Sequence, residues 1–229
     1  GSGDNNQLQV RTAVEAYWGE QYMNAWILLG DNAYGGGKDG EYTMKFFGYY
    51  KDRFLKQSPL YPAPGNHDYD FPAGARTAHN NPYFSVFSMP AAAEAGGYPS
   101  GTKAYYSFDI GNIHFISLDA DGFHGPDGNQ KKIYDLPNEQ VNWLRQDLEA
   151  NTNKGWVIAY WHQPPFTKGS HDSDNLNGID ADLVEIRTKL ISILENYGVD
   201  LILCGHSHVY ERTKLLKGYY GTSLDYDES

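Results

Sequence analysis

Apolar positions along this chain follow two rhythms. Short, nearly continuous apolar runs occupy residues 26–29, 60–63, 156–161 and 199–204. Each is stopped by a polar or glycine-containing turn, which predicts buried strands. Residues 105–110 and 113–119 alternate apolar and polar around Gly111-Asn112 and predict a hairpin. Longer segments repeat every three to four residues and predict helices. Residues 7–18 place Val10, Val14 and Tyr17 on one stripe. Residues 137–150 turn Val141, Leu144 and Leu148 inward, with Pro137 in the first turn. Residues 182–197 carry Ile186, Leu190, Ile193 and Tyr197, and Gly198 follows as a left-handed stop. The aromatic-rich stretch 41–55 reads as helical up to Ser58-Pro59, and the Pro-, Gly- and Ala-rich stretch 72–101 reads as a long excursion over a rim. Strands alternating with helices, with one hairpin among them, predict an α/β layered fold of mixed sheets.

Composition adds bounds to this picture. The chain has 229 residues, enough for one domain with a large core. Forty per cent of residues are apolar and 21% charged, as in an ordinary globular protein. No apolar stretch is long enough to span a bilayer. The opening Gly1-Ser2-Gly3 has neither a basic n-region nor an apolar h-region. The start therefore reads as a mature form, a trimmed chain or a fragment. The formal net charge of −11 argues against broad binding to a nucleic-acid backbone. A phosphate-handling protein this acidic needs local positive charge, which bound metal ions would supply. Cys204 is the sole cysteine, so no internal disulfide can form, and its apolar surroundings mark it as a core residue.

Candidate chemistry clusters at the ends of four apolar runs: Gly30-Asp31-Asn32-Ala33-Tyr34, Gly65-Asn66-His67-Asp68, Trp161-His162, and Gly205-His206-Ser207-His208. Ligands of open α/β sheets bind outside the carboxyl ends of the strands, so four such loops can converge. Asp31 offers two oxygens and can bridge two cations. A phenol such as Tyr34 binds well only as phenolate and suits a strongly polarising trivalent metal. Asn66 offers a neutral amide oxygen, and His67 follows it. His162 ends a strand, and His171 lies nine residues on. His206 and His208, two apart in an extended chain, point to one side. Taken alone, no segment is decisive, and the first three read more readily as a turn, a polar loop and a structural histidine.

Together and in this order, the segments resemble the calcineurin-like metallophosphoesterases. Tyr34, and the Tyr210-Glu211-Arg212 tail after His-x-His, are similar to the purple acid phosphatase branch. The resemblance runs from about residue 28 to residue 212. It implies one domain over residues 1–229: a four-layer αββα sandwich of two mixed sheets flanked by helices, truncated at both ends. It implies a first metal, Fe(III), on Asp31, Tyr34 and His208. A second, Zn, Fe or Mn in the divalent state, would sit on Asp31, Asn66, His162 and His206. His67 and His171 become catalytic candidates in the outer shell. The implied function is hydrolysis of a small phosphate monoester, acid phosphatase-like, with metal-bound hydroxide attacking phosphorus. A phosphodiesterase or nucleotidase on the same site, and a non-catalytic metal or phosphate binder, are the alternatives. The resemblance further implies a secreted or periplasmic protein. One departure stands out. The family's first-strand Asp is expected just ahead of Gly1, and Asp4, with no strand before it, is not expected to replace it. At the other end, Tyr219-Tyr220-Gly221 resembles the start of the family's closing strands. The first metal's ligand set is therefore expected to be incomplete in this chain.

Overall fold

Strand β1 (Trp26–Leu29) pairs in parallel with β2 (Leu60–Ala63), Trp26 opposite Leu60 and Leu29 opposite Ala63. A second sheet has the order β3 (Tyr106–Ile110), β4 (Ile113–Ser117), β5 (Trp156–Trp161), β6 (Leu201–Cys204). The β3–β4 hairpin is antiparallel, and β4, β5 and β6 run parallel. The computed structural model from which this architecture is read describes residues 1–125, 130–151 and 154–226. Helix α1 (Asn5–Trp18) precedes β1, α2 (Glu139–Ala150) precedes β5, and α3 (Ala181–Lys189) and α4 (Ile191–Asn196) precede β6.

The strand period of two sorts the second sheet onto two cores. On one face Ile116, Ala159, Trp161 and Ile202 meet Val141, Leu144 and Leu148 of α2, together with Ile186, Leu190, Ile191 and Leu194. On the other, Phe108, Phe115, Ile158, Tyr160 and Leu203 meet the first sheet. There Phe108 stacks on Tyr61 of β2 with ring centroids 3.6 Å apart, and the Tyr106 hydroxyl donates to the Pro62 carbonyl at 2.8 Å. Outside the first sheet, Trp26 packs against Phe46, Tyr50 and Phe54. The result is helix, two sheets, helix: the layered sandwich expected from the sequence. Among the described residues no helix is long and apolar enough to cross a membrane.

Several local expectations are corrected. The stripe of α1 does not face the core: Val10, Val14 and Tyr17 are exposed and the helix buries no residue. Polar side chains tether it instead, Gln7 donating to the Lys45 carbonyl and Arg11 to the Tyr49 carbonyl, both at 2.7 Å. The stretch read as one helix over 41–55 is Asp39–Glu41, a π-helical Tyr42–Phe47 and Gly48–Tyr50, followed separately by Phe54–Gln57. Pro137 lies outside α2, because Asn138 is the N-cap and accepts from the Val141 N–H at 2.8 Å. The single helix expected over 182–197 is broken at Leu190 into α3 and α4. The excursion 72–101 is not merely a rim, since it buries Tyr83, Phe87 and Met89 in the core between the sheets.

The loops that leave β1 and β2 are fastened by one buried carboxylate. Asp68 is fully inaccessible and accepts from the Asn32 backbone N–H at 3.2 Å and the Asn32 amide at 3.0 Å. It also accepts from the Gly65 N–H at 2.9 Å and the Tyr42 hydroxyl at 2.5 Å. Burial pushes its pKa above the usual carboxylate value, against the pull of these donors. Removing it strands buried donors, each costing about 1–3 kcal/mol. Asp68→Ala is therefore expected to lower the urea-unfolding free energy by at least about 3 kcal/mol; a loss under about 1 kcal/mol would show that the clamp is dispensable.

A second buried polar cluster lies on β4. His114 donates from Nδ1 to Asp109 and from Nε2 to Asp147, both at 2.8 Å. Burial alone would lower its pKa, but the bonds and charges of Asp147 and Asp109 raise it above the ordinary 6.5. A raised histidine contributes stability that is complete below the unfolded-state pKa and is lost as pH rises through the folded one. Stability measured by urea unfolding should thus fall above about pH 6.5 more steeply in the wild type than in His114→Gln. Parallel curves would remove this role.

Candidate active site

The parallel strands of each sheet deliver their carboxyl ends to one rim. β1 ends in Gly30 and Asp31, β2 leads through Gly65 into the 3-10 turn Asn66–Tyr69, β5 ends at His162, and β6 at Gly205-His206. The sheets meet here because the Nδ1–H of His162 donates to the Leu29 carbonyl at 2.7 Å. Space is tight enough to demand glycine. A Cβ on Gly30 (φ +85°) would lie 2.5 Å from His162 Nδ1, and one on Gly65 would lie 2.3 Å from the Asp31 backbone nitrogen. Asp31 and His206 themselves have positive φ, 52° and 65°. Such backbone is uncommon outside glycine, and it clusters at functional sites.

Asp31 stands at the centre. Its Oδ2 accepts from the Tyr34 hydroxyl at 2.7 Å and lies 3.2 Å from His162 Nε2, while Oδ1 accepts from the His67 N–H at 3.0 Å. The Tyr34 hydroxyl is also 2.8 Å from His208 Nε2. His206 Nδ1 is 3.2 Å from His162 Nε2. Tyr34 and His162 thus meet at one oxygen of the Asp31 carboxylate, with His208 next to Tyr34 and His206 next to His162. His171 stacks on His206 with centroids 3.9 Å apart and donates from Nδ1 to Asp180 at 2.7 Å. The His67 ring lies 4.5 Å from that of Tyr34, and its Nδ1–H faces the Gly35 carbonyl at 2.9 Å and Asp70 at 3.0 Å. The chain's opening also touches this loop, the Tyr34 N–H donating to the Gly1 carbonyl at 3.0 Å.

The electrostatics match a cation-binding cluster. Burial pushes the Asp31 carboxyl up. The bond and charge of His162, with the bonds from Tyr34 and His67, outweigh burial and hold the group far below the usual carboxylate range. Burial, then Asp31, push the Tyr34 phenol well above its ordinary value. It stays neutral unless a cation replaces its proton. Burial, then the charges of His162 and His171, lower His206 to about 4, so its imidazole is neutral at pH 7, as a metal ligand must be. Asn66 presents a buried Oδ1 with no hydrogen-bond partner. An orphaned acceptor beside these groups fits a metal ligand, because buried polar atoms rarely go unpaired. His162 Nδ1 is spent on a backbone carbonyl, which orients Nε2 toward the cluster. These side chains are therefore of the kind that hold cations.

The eight residues singled out in the sequence all belong to loops on this rim. Sequence reasoning missed Asp180, and it quoted Asp68 and Glu211 within their motifs without giving them a supporting role. Asp180 holds His171, and Asp68 holds the Asn66 turn. Glu211 accepts from the Thr167 hydroxyl at 2.5 Å and the Lys168 N–H at 2.8 Å, tying the loop after His162 to the tail beyond His208. Of the Tyr-Glu-Arg tail it is this carboxylate that makes the tie, while Arg212 is exposed. Asp119, just beyond β4 at the same rim, carried the same signal as Asp31, a carboxylate after an apolar strand.

Comparison with known proteins adds the family. An uncharacterized protein of Mycobacterium tuberculosis is 31% identical over 175 residues, 74% of this chain and 31% of its own length. Purple acid phosphatase 15 of Arabidopsis thaliana is 29% identical over 177 residues, covering 76% of this chain and 29% of its own. Acid phosphatase type 7 of Danio rerio is 28% identical over 226 residues, covering 90% and 44%. The chain thus spans less than half the length of these relatives. The sequence profile described as calcineurin-like phosphoesterase matches residues 8–210, from α1 to the tail beyond His208. With that match over most of its length, the chain belongs to the calcineurin-like phosphoesterase family.

Proposed function

We propose that this protein hydrolyses small phosphate monoesters, in the manner of an acid phosphatase, at a dinuclear metal centre bridged by Asp31. The observation that carries the reading is the Asp31 carboxylate, whose Oδ2 meets both Tyr34 and His162, with His208 beside Tyr34 and His206 beside His162. Asp31, Tyr34 and His208 would hold one ion, and Asp31, Asn66, His162 and His206 the other. Two ions in such a site neutralise phosphate charge and generate the nucleophile from water. The buried phenol favours Fe(III) at the first position, because only a strongly polarising cation displaces its proton, and the neutral Asn66 and imidazoles suit zinc, iron or manganese in the divalent state at the second. His67 and His171 each spend Nδ1 on the protein, which leaves Nε2 of each for the substrate. His171, fixed by Asp180, would protonate the leaving alkoxide, and His67 would bond the phosphate.

Reconstitution with iron and zinc, followed by assay on p-nitrophenyl phosphate, a diester and a nucleotide, tests this reading. Two ions at the Asp31 centre and fastest turnover of the monoester are expected. Faster diester or nucleotide cleavage would reassign the substrate, and two bound ions with phosphate binding but no turnover would make the protein a binder. The ferric form should absorb visible light, and Tyr34→Phe should abolish the band while leaving the circular dichroism unchanged; a colourless iron-loaded wild type would refute the ferric assignment.

His171→Ala is expected to lower kcat on an alkyl phosphate monoester by about 10²–10⁴-fold, the usual worth of a general acid. Asp180→Asn should cost roughly tenfold, since it disturbs only the orientation of His171. On p-nitrophenyl phosphate, whose leaving group departs with little protonation, both losses should shrink. Equal losses on both substrates would argue against proton donation.

A further inference from the structure

Outside the Asp31 centre lies a second convergence of metal-binding side chains. His79 caps the short helix Ala75–Ala78 with left-handed backbone (φ 48°), and Asp119 and His124 belong to the loop after β4. Ligand atoms of the three residues all lie within 4.8 Å of one another. The His124 Nε2–H meets Asp119 Oδ2 at 2.8 Å, and the rings of His79 and His124 have centroids 4.8 Å apart. Asp119 is fully inaccessible and His124 is 5% exposed. We propose that His79, Asp119 and His124 form a separate mononuclear site for a divalent transition ion, zinc.

Three independent observations support a ligand here. His79 Nε2 is buried with no hydrogen-bond partner. An orphaned imidazole nitrogen beside a buried carboxylate is the arrangement a bound cation resolves. Second, the carboxylate is held in place for the task. Its Oδ1 accepts from the Asp121 and Gly122 N–H groups at 3.0 and 2.9 Å, and Oδ2 accepts from the Tyr69 hydroxyl at 2.5 Å. Conserving ligand orientation in this way is what outer-shell bonds do in metal sites. Third, a cavity of about 260 Å³ reaches the cluster, lined by His79 and His124 with Thr77, Tyr105 and Glu139. It gives an ion a route in and leaves one coordination position open to water. Two imidazole nitrogens, one carboxylate oxygen and an open position make the donor set of a tetrahedral zinc site.

The protonation states agree with the geometry. Burial, then the His124 charge, lower the His79 pKa, so its ring is neutral at pH 7. Burial would raise Asp119, but the charge and bond of His124 hold it at about 2, so it is ionised. Ligation requires the proton now on His124 Nε2 to move to Nδ1 or leave to solvent. No residue is shared with the Asp31 centre, so this site stands whether or not that centre turns over phosphate esters.

Zinc stoichiometry is the test, measured on the whole protein by dialysis against buffered free zinc and elemental analysis. The wild type should hold one more zinc per chain than His79→Gln or His124→Gln. A His206→Ala/His208→Ala variant, disabled at the other centre, should keep one zinc, and adding His79→Gln should remove it. Anomalous scattering at the zinc edge from wild-type crystals should place a peak between His79, Asp119 and His124. Because His79 is only half-buried, His79→Gln should keep the wild-type circular dichroism. Should His124→Gln fail to fold, His79→Gln and the wild-type anomalous map decide. Stoichiometry unchanged by His79→Gln, or a map with no peak at these residues, would overturn the site.

Discussion

Everything at the rim rests on how Asp68 is solvated by protein instead of water. The Asn32 and Gly65 backbone amides, the Asn32 side chain and the Tyr42 hydroxyl converge on a carboxylate with no access to solvent. Those donors come from the loop after β1, the turn after β2 and the helical layer outside the first sheet. An ionised group that deep is costly unless its hydrogen bonds are made. The loops therefore have one arrangement in which the carboxylate is satisfied, and that arrangement fixes the backbone around Asp31 and Asn66. The positive φ of Asp31 is sustained by this surrounding structure, which over-determines it.

The same logic explains why so many titratable groups can be packed together at the strand ends. Without a cation, Asp31 is compensated by His162, and the Tyr34 phenol keeps its proton. Two cations would replace those protons and reverse the local preferences, which is the ordinary effect of a metal on its ligands. A protein of net charge −11 repels phosphate at long range, so positive charge has to be concentrated where the substrate reacts. Arg76 links this region to the histidine cluster beside it. Its guanidinium donates to the Asn66 carbonyl at 3.3 Å and to Asp121 at 2.8 Å, three residues before His79.

Element types were largely written in the local sequence. The apolar runs at β1, β2, β5 and β6 and the alternating hairpin are patterns of side-chain period, and that period is local chemistry. The failures share a cause. The stripe of α1 has helical spacing but no core opposite it, because the polar tethers of Gln7 and Arg11 set how the helix lies. Pro137 resembled a first-turn proline, yet the Asn138 side chain captured the Val141 N–H and moved the boundary. Neither outcome can be read from a single helix in isolation.

The sequence by itself determined the layered α/β fold, the four loops at the strand ends and the family to which they belong, because strand period, glycine placement and ligand type are all encoded within a few residues. Tertiary structure alone decided which groups meet. Asp180 holds His171 from nine residues away, Glu211 reaches back to Thr167, and Asp68 closes a clamp whose donors lie up to 36 residues off. His79 joins Asp119 and His124 across 40 residues or more of chain. These pairings arise from packing one sheet on another, and burial is what turns each contact from an incidental proximity into a requirement.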